Sequence, residues 1–142
     1  MKAINSIAVG FDGSIESESA VRWAARAARE FDAHLTVLHA SGILERLGAP
    51  YSNAIVPETV DAIILEEGLN VANYRWVVDE GDACSALLNC ASPPVSADLI
   101  VVGSRGHGKR PGMMIGSVSL EIVQHASVSV VVVPGRHPLL AQ

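Results

Sequence analysis

Five short runs of Val, Ile, Leu and Ala recur along the chain, separated by longer segments whose apolar residues fall at helical spacing. The first run, Ile4 to Phe11, stops at Asp12-Gly13-Ser14 and predicts a buried strand closed by a turn. Ser14 is placed to cap the next helix, with Glu16 and Glu18 near its positive end. That helix is expected to reach about Phe31, with Ala20, Ala24, Ala27, Ala28 and Phe31 as its apolar stripe. Arg22, Arg26, Arg29 and Glu30 lie mostly outside the stripe. A second strand follows at His34–Ala40. Ser41 to Pro57 has the least pattern, and its Gly48, Pro50, Asn53 and Pro57 predict a loop or lid. Glu58 to Leu69 reads as helix and Tyr74 to Val78 as a weakly alternating edge strand. Gly81-Asp82 opens a helix to about Ala91, ended by Pro93-Pro94. Leu99–Val102 is a fourth strand, Ser117–His125 a helix, and Val128–Val133 a fifth strand stopped by Pro134-Gly135.

The predicted order is therefore β-α-β-α-β-α-β-α-β. Continuous apolar strands alternating with helices imply a parallel sheet covered on both faces, an α/β three-layer sandwich with right-handed crossovers. A chain of 142 residues suits a single domain over its whole length, 1–142. Ligands of such sheets bind beyond the C-terminal strand ends, at the point where the strand order reverses.

One segment stands out chemically. Five glycines occur within the fourteen residues Gly103 to Gly116, directly after the fourth strand and before a helix. So many glycines cost chain entropy, and close approach of backbone N–H groups to an anion is a need that would retain them. The following helix N-terminus adds its positive end, and phosphate is the anion that fits. Three phosphate-binding patterns compete. GxxxxGK[ST] meets Gly103 and Gly108-Lys109, but Arg110 replaces the magnesium-binding hydroxyl and Pro111 follows where a helix should begin. GxGxxG fails because Lys109, Arg110 and Pro111 separate Gly108 from Gly112, and because the loop follows the fourth strand and not the first. The third pattern is Gly103-x2-Gly106-x9-Gly116-Ser117, and it has no gaps.

That third pattern resembles the glycine motif of the universal stress protein family. The resemblance extends to Val9-Gly10-Phe11-Asp12-Gly13-Ser14, to Leu38-His39-Ala40, and to the closing helix and strand from Gly116 to Pro134. It covers nearly the whole chain outside the irregular middle. It implies strand order 3-2-1-4-5, which sets strands one and four side by side and faces the Asp12 turn with the Gly103 loop across one crevice. It also implies ATP as ligand, with Mg2+ carried by the nucleotide. The candidate binding residues are Gly10, Phe11, Asp12 and Ala40 around the adenosine. Along the loop and closing helix they are Gly103, Ser104, Arg105, Gly106, His107, Gly108, Gly116, Ser117, Val118 and Ser119. Family members usually carry Val or a similar residue where this chain has Ala40, which predicts a looser adenine pocket. The resemblance further implies a homodimer through the last strand. The apolar run Val128–Val133 would otherwise leave an edge liable to pair.

Composition narrows these readings. Apolar residues are 49 % and charged residues 18 %, ordinary for a packed domain, and the formal charge of −5 argues against a general nucleic-acid binder. Arg105, Lys109 and Arg110 nevertheless gather in the loop, where a local anion site can sit on an acidic protein. Cys84 and Cys90 match no metal or redox spacing and read as small helix fillers. No apolar run approaches the ~18 residues of a membrane span, and Met1–Ser6 lacks the form of a signal peptide, so a cytoplasmic setting is expected. No Asp/Glu/His cluster has metal-ligand spacing, and no catalytic residue is assigned. His39 reads as a satisfied core histidine, His34, His125 and His137 as structural or surface residues, and Trp23 and Trp76 as packing residues. The expected function is a nucleotide-dependent regulatory module in the stress response, with at most slow ATP hydrolysis. The competing readings are a dimeric scaffold for a protein partner without nucleotide, and an enzyme of the adenine-nucleotide hydrolase-like folds. The latter would carry an SGGxDS loop where this chain has Gly10-Phe11-Asp12-Gly13-Ser14.

Overall fold

The computed structural model describes residues 3–41, 57–104 and 115–135. Five strands form one parallel sheet in the order β3-β2-β1-β4-β5. They are β1 (Ser6–Gly10), β2 (His34–Ala40), β3 (Tyr74–Asp79), β4 (Leu99–Gly103) and β5 (Ser129–Val133). Among the described residues four helices join them: α1 (Ile15–Phe31), α2 (Glu58–Glu67), α3 (Ala83–Asn89) and α4 (Ser117–His125). A 3-10 turn, Val71–Asn73, leads into β3. Fold class, strand order and the edge position of β3 are as the sequence predicts.

Two cores result from strand alternation. On one face Ile7, Val9, Leu35, Val37 and Val101 meet α1 and α2. On the other, Ala8, Leu38, Ile100 and Val102 meet α3 and α4. The apolar side chains of β1 and β4 are nearly all at or close to 0 % exposure, as continuous burial of a central parallel strand demands.

Helix α1 begins as predicted, with Ser14 Oγ accepting the Ser17 N–H at 3.1 Å. Its buried face is not the predicted stripe. Ala20, Ala24 and Ala28 are fully buried, but Val21 and Ala25 join them, while Ala27 is half-buried and Phe31 is 50 % exposed. The seam is wider than the alanine count suggests because α1 packs against both the sheet and α2. Phe31 is the last helical residue and extends past that contact. Trp23, expected to pack, is 39 % exposed.

The arginines outside the stripe have partners on α2. Arg22 Nη1 lies 2.7 Å from Glu66 and 3.1 Å from Glu67, and Arg26 Nε lies 2.5 Å from Glu67. Arg29 donates to the Glu67 carbonyl at 2.8 Å. Hydrogen bonding from Arg26 holds the Glu67 carboxyl below its ordinary value of 4.5; burial opposes this and Arg22 reinforces it. A depressed carboxylate stabilises the fold above its unfolded pKa, and that contribution is lost as pH falls through the folded value. Glu67→Gln is therefore expected to lower stability near neutral pH by about 1 kcal/mol, since Arg26 is exposed and Arg22 partly so. It is also expected to flatten the loss of stability below the ordinary carboxylate pKa. Urea denaturation at several pH values checks both, and an unchanged acid limb would remove this ion pair from the account.

The C-terminal ends of α1 and α2 are set by left-handed residues. Gly68 (φ 76°) stops α2 at Glu67, two residues before the predicted Leu69. Asp32 closes α1 at φ 56°, its N–H bonding the Ala28 and Arg29 carbonyls. A side chain there is strained where glycine is not. Asp32→Gly is expected to raise the unfolding free energy by about 0.5–1 kcal/mol. A urea midpoint at or below the wild-type value would contradict this.

Candidate functional site

Strands β1 and β4 run side by side, with Ile7 opposite Leu99, Ala8 opposite Ile100 and Val9 opposite Val101. The chain leaving β1 turns to the α1 face, and the chain leaving β4 crosses to the α4 face. Their diverging exits open the crevice that the strand order predicts.

The β1 exit is a rigid turn. Asp12 Oδ1 accepts the Ser14 N–H at 2.9 Å, Ser17 Oγ faces the Asp12 N–H at 3.3 Å, and Gly13 takes φ 84°. Asp12 thus braces the start of α1. Phe11 is 5 % exposed and its ring belongs to the α1 face core, edge-on to Trp76 at 6.0 Å, so only its backbone borders the crevice. His39 hydrogen-bonds the Phe11 carbonyl through Nδ1 at 3.1 Å and stacks on Trp76 at 6.2 Å. It is the satisfied histidine the sequence suggests, and Trp76 is a packing residue. His34 and His125 are exposed.

On the α3 face of the crevice Ala40 is half-buried at the end of β2 and opposite Asp79. The adjoining Ser41 N–H is held by the Asp79 carbonyl at 2.8 Å. Gly10 is explained by packing: a Cβ there would stand 2.9 Å from Leu87 Cδ1 of α3. Leu87 was not singled out in the sequence, where it reads as one more apolar helix residue.

The β4 exit carries the glycine loop. Its two ends are tied together at its base: the Gly116 N–H donates to the Ser104 carbonyl at 2.5 Å, and Ser119 Oγ donates to the Gly103 carbonyl at 2.5 Å. The Ser104 N–H in turn bonds the Val133 carbonyl at 2.8 Å. Ser119 is 5 % exposed and acts from within this tie. Gly116, not Ser117, occupies the N-cap of α4 and offers no side-chain cap. Ser117 and Val118 are exposed in the first turn. The predicted residues Arg105, Gly106, His107 and Gly108, with Lys109 and Arg110, lie outside the described residues, as do His137 and most of the Ser41–Pro57 stretch.

Gly103 has an unexpected neighbour. A Cβ on it would stand 2.8 Å from the Glu16 carbonyl oxygen and 2.9 Å from its carbonyl carbon. Its lack of a side chain is required by α1, whatever the loop binds. Glu16 itself, placed by the sequence near the positive end of α1, is 4 % exposed.

Beside the loop, a cleft of about 130 Å3 separates the starts of α3 and α4, lined by Asp82, Ala83, Cys84, Ser117, Val118 and Glu121. Burial pushes the Cys84 thiol up to about 11, and its hydrogen bond to Glu121 adds to the shift. Such a thiol stays protonated near neutral pH and fills space, as predicted for both cysteines. A larger groove, about 350 Å3 and lined by Asp61, Ile64, Leu65, Val71 and Tyr74, lies at the opposite end of the sheet. Among the described residues no group of three His, Cys, Asp or Glu is placed to hold a metal ion. No helix there is long and apolar enough to cross a membrane.

The arrangement can present backbone N–H groups and a helix N-terminus to an anion while the Asp12 turn faces them. Known proteins share the fold. A universal stress protein of Mycolicibacterium smegmatis is 31 % identical over 146 residues, covering 91 % of this chain and 48 % of its own length. The chain spans about half the length of the curated relatives it matches. The crystal structure of a universal stress protein in complex with cAMP superposes with a TM-score of 0.75 at 28 % identity, covering 95 % of this chain and 100 % of that one. The universal stress protein of Archaeoglobus fulgidus in complex with dAMP gives a TM-score of 0.68 at 21 % identity over 93 % and 99 % of the two chains, a likeness of fold. The model of the universal stress protein family matches residues 3–134, and with the sheet order and the tied glycine loop it shows that this chain belongs to that family.

Proposed function

We propose that this chain binds an adenine nucleotide in the crevice between the β1 and β4 exits and acts as a nucleotide-dependent regulatory module. The observation that carries this reading is the tied base of the glycine loop. The Gly116–Ser104 and Ser119–Gly103 bonds aim the first turn of α4 at the crevice. With glycine at the N-cap, no side chain competes for the anion there. The relative solved with cAMP supports an adenine ligand. In this reading the phosphates rest on Gly116, Ser117 and Val118, and adenosine lies towards Gly10, Asp12 and Ala40. ATP is the preferred form, and Mg2+ enters on its phosphates. Hydrolysis is at most slow, because Asp12 is engaged in its turn and His39 in the core.

Calorimetric titration with Mg-ATP, AMP and cAMP, with native mass spectrometry for co-purifying nucleotide, tests the reading. Saturable binding of at least one is expected; a folded protein that binds none overturns it.

A second reading has its own observation. Leu120 and Val123 of α4 are 43 % and 48 % exposed, beside the half-buried valines of edge strand β5. This edge suits a homodimer through β5, with or without nucleotide. Dimers by light scattering combined with absent nucleotide binding would favour the scaffold role for a protein partner.

A further inference from the structure

Glu16 is the buried charged residue nearest the base of the loop. It sits in the first turn of α1, is 4 % exposed, and touches the ends of two strands. On one side its backbone lies where a Gly103 side chain would be, 2.8 Å from the position of that Cβ. On the other side its own side chain fills the space left by Gly135: a methyl there would overlap Glu16 Cγ and stand 3.0 Å from Cδ. Gly135 lies two residues after Val133, whose carbonyl holds the Ser104 N–H, and the Gly103 carbonyl holds Ser119. Two of the bonds at the loop base therefore start from strand ends, Gly103 of β4 and Val133 of β5, and Gly103 itself packs on Glu16.

We propose that Glu16 is a positioning residue of the nucleotide site. Its side chain is a wedge between the exits of β4 and β5, and the loop base keeps its spacing because that wedge fills the room glycine leaves at 135. The inference rests on the nucleotide reading above for its effect on binding, but not for its effect on the loop base. Shape carries it: a Gly135 Cβ would stand against Glu16 Cγ, Cδ and Oε1, and a Gly103 Cβ against the Glu16 carbonyl and Cβ.

The test is a double-mutant cycle with two readouts, at a temperature where every variant is fully folded. Glu16→Ala removes the wedge and Gly135→Ala collides with it. Each alone is expected to weaken Mg-ATP binding about tenfold, a typical coupling within one packed unit. The double variant, in which the new methyl occupies the vacated space, is expected to recover most of the affinity, and Glu16→Gln, of the same shape, to retain more than Glu16→Ala. The second readout needs no nucleotide: amide exchange at Ser104 and Gly116 is expected to speed up in each single variant and slow again in the double. Equal losses in Glu16→Gln and Glu16→Ala, or a double variant no better than the two losses added, would overturn the wedge. If the wild type binds no nucleotide, the nucleotide reading fails while amide exchange still decides the role of Glu16.

Discussion

Gly116→Glu is expected to abolish nucleotide binding and leave the fold intact. Gly116 adopts φ −78° and ψ 164°, a backbone that any residue accepts, so the substitution brings no strain. A carboxylate at the N-cap meets the positive end of α4, which favours the helix by a few tenths of a kcal/mol. The same carboxylate occupies the place proposed for phosphate. Two like charges about 4 Å apart cost about 4 kcal/mol at the effective dielectric of a protein surface, enough for at least a ~100-fold loss of affinity. Gly116→Ala, which adds bulk without charge, is expected to lose far less. Calorimetry with Mg-ATP and the far-ultraviolet circular dichroism of both variants check this. If Gly116→Glu binds like the wild type, the phosphates do not rest on α4.

What the sequence made legible follows from the range of the forces involved. Strands and helices are written in local periodicity, so β1 to β5 and α1 to α4 were readable to within a few residues, and the apolar runs of β1 and β4 marked them as central. The Asp12 turn, the Ser14 cap and the Asp82 cap are also local, with donor and acceptor a few residues apart. Long-range packing was not legible. Nothing in the pattern around Glu16 says that Gly103 and Gly135 will close over it; the sequence marks it only as an acidic residue near the positive end of α1. Glycine was equally silent at the two strand ends. Gly10 and Gly103 are candidate ligand contacts, and each also has a packing neighbour where a side chain would begin: the Leu87 methyl for Gly10 and the less yielding Glu16 backbone for Gly103. The span Ser117–His125 of α4 is as the sequence predicts, and its N-cap is Gly116 although serine is the better N-cap by propensity. The chain there closes its loop through the Gly116 N–H, which fixes glycine as the last non-helical residue.

Gly103→Ala separates the two reasons for that glycine. If its only role were to let backbone N–H groups approach phosphate, the variant would fold normally and bind weakly. The structure predicts otherwise. The added methyl would stand 2.8 Å from the Glu16 carbonyl oxygen, 2.9 Å from its carbonyl carbon and 3.1 Å from its Cβ. Backbone atoms in the first turn of a helix cannot rotate away, so α1 itself must move off β4, where Val101 and the buried alanines of α1 share one core. Overpacking of this kind costs about 1–3 kcal/mol, and the rigidity of the obstacle places the expectation near 2. For a domain of this size that corresponds to a melting temperature lower by about 6–8 °C. Urea denaturation without nucleotide measures it directly. A variant as stable as the wild type would show that α1 yields at no cost and return Gly103 to the ligand alone. A loss of about 2 kcal/mol in the nucleotide-free protein would mean that the first glycine of the loop is kept by helix packing, and that the anion site is built from Gly116 onward.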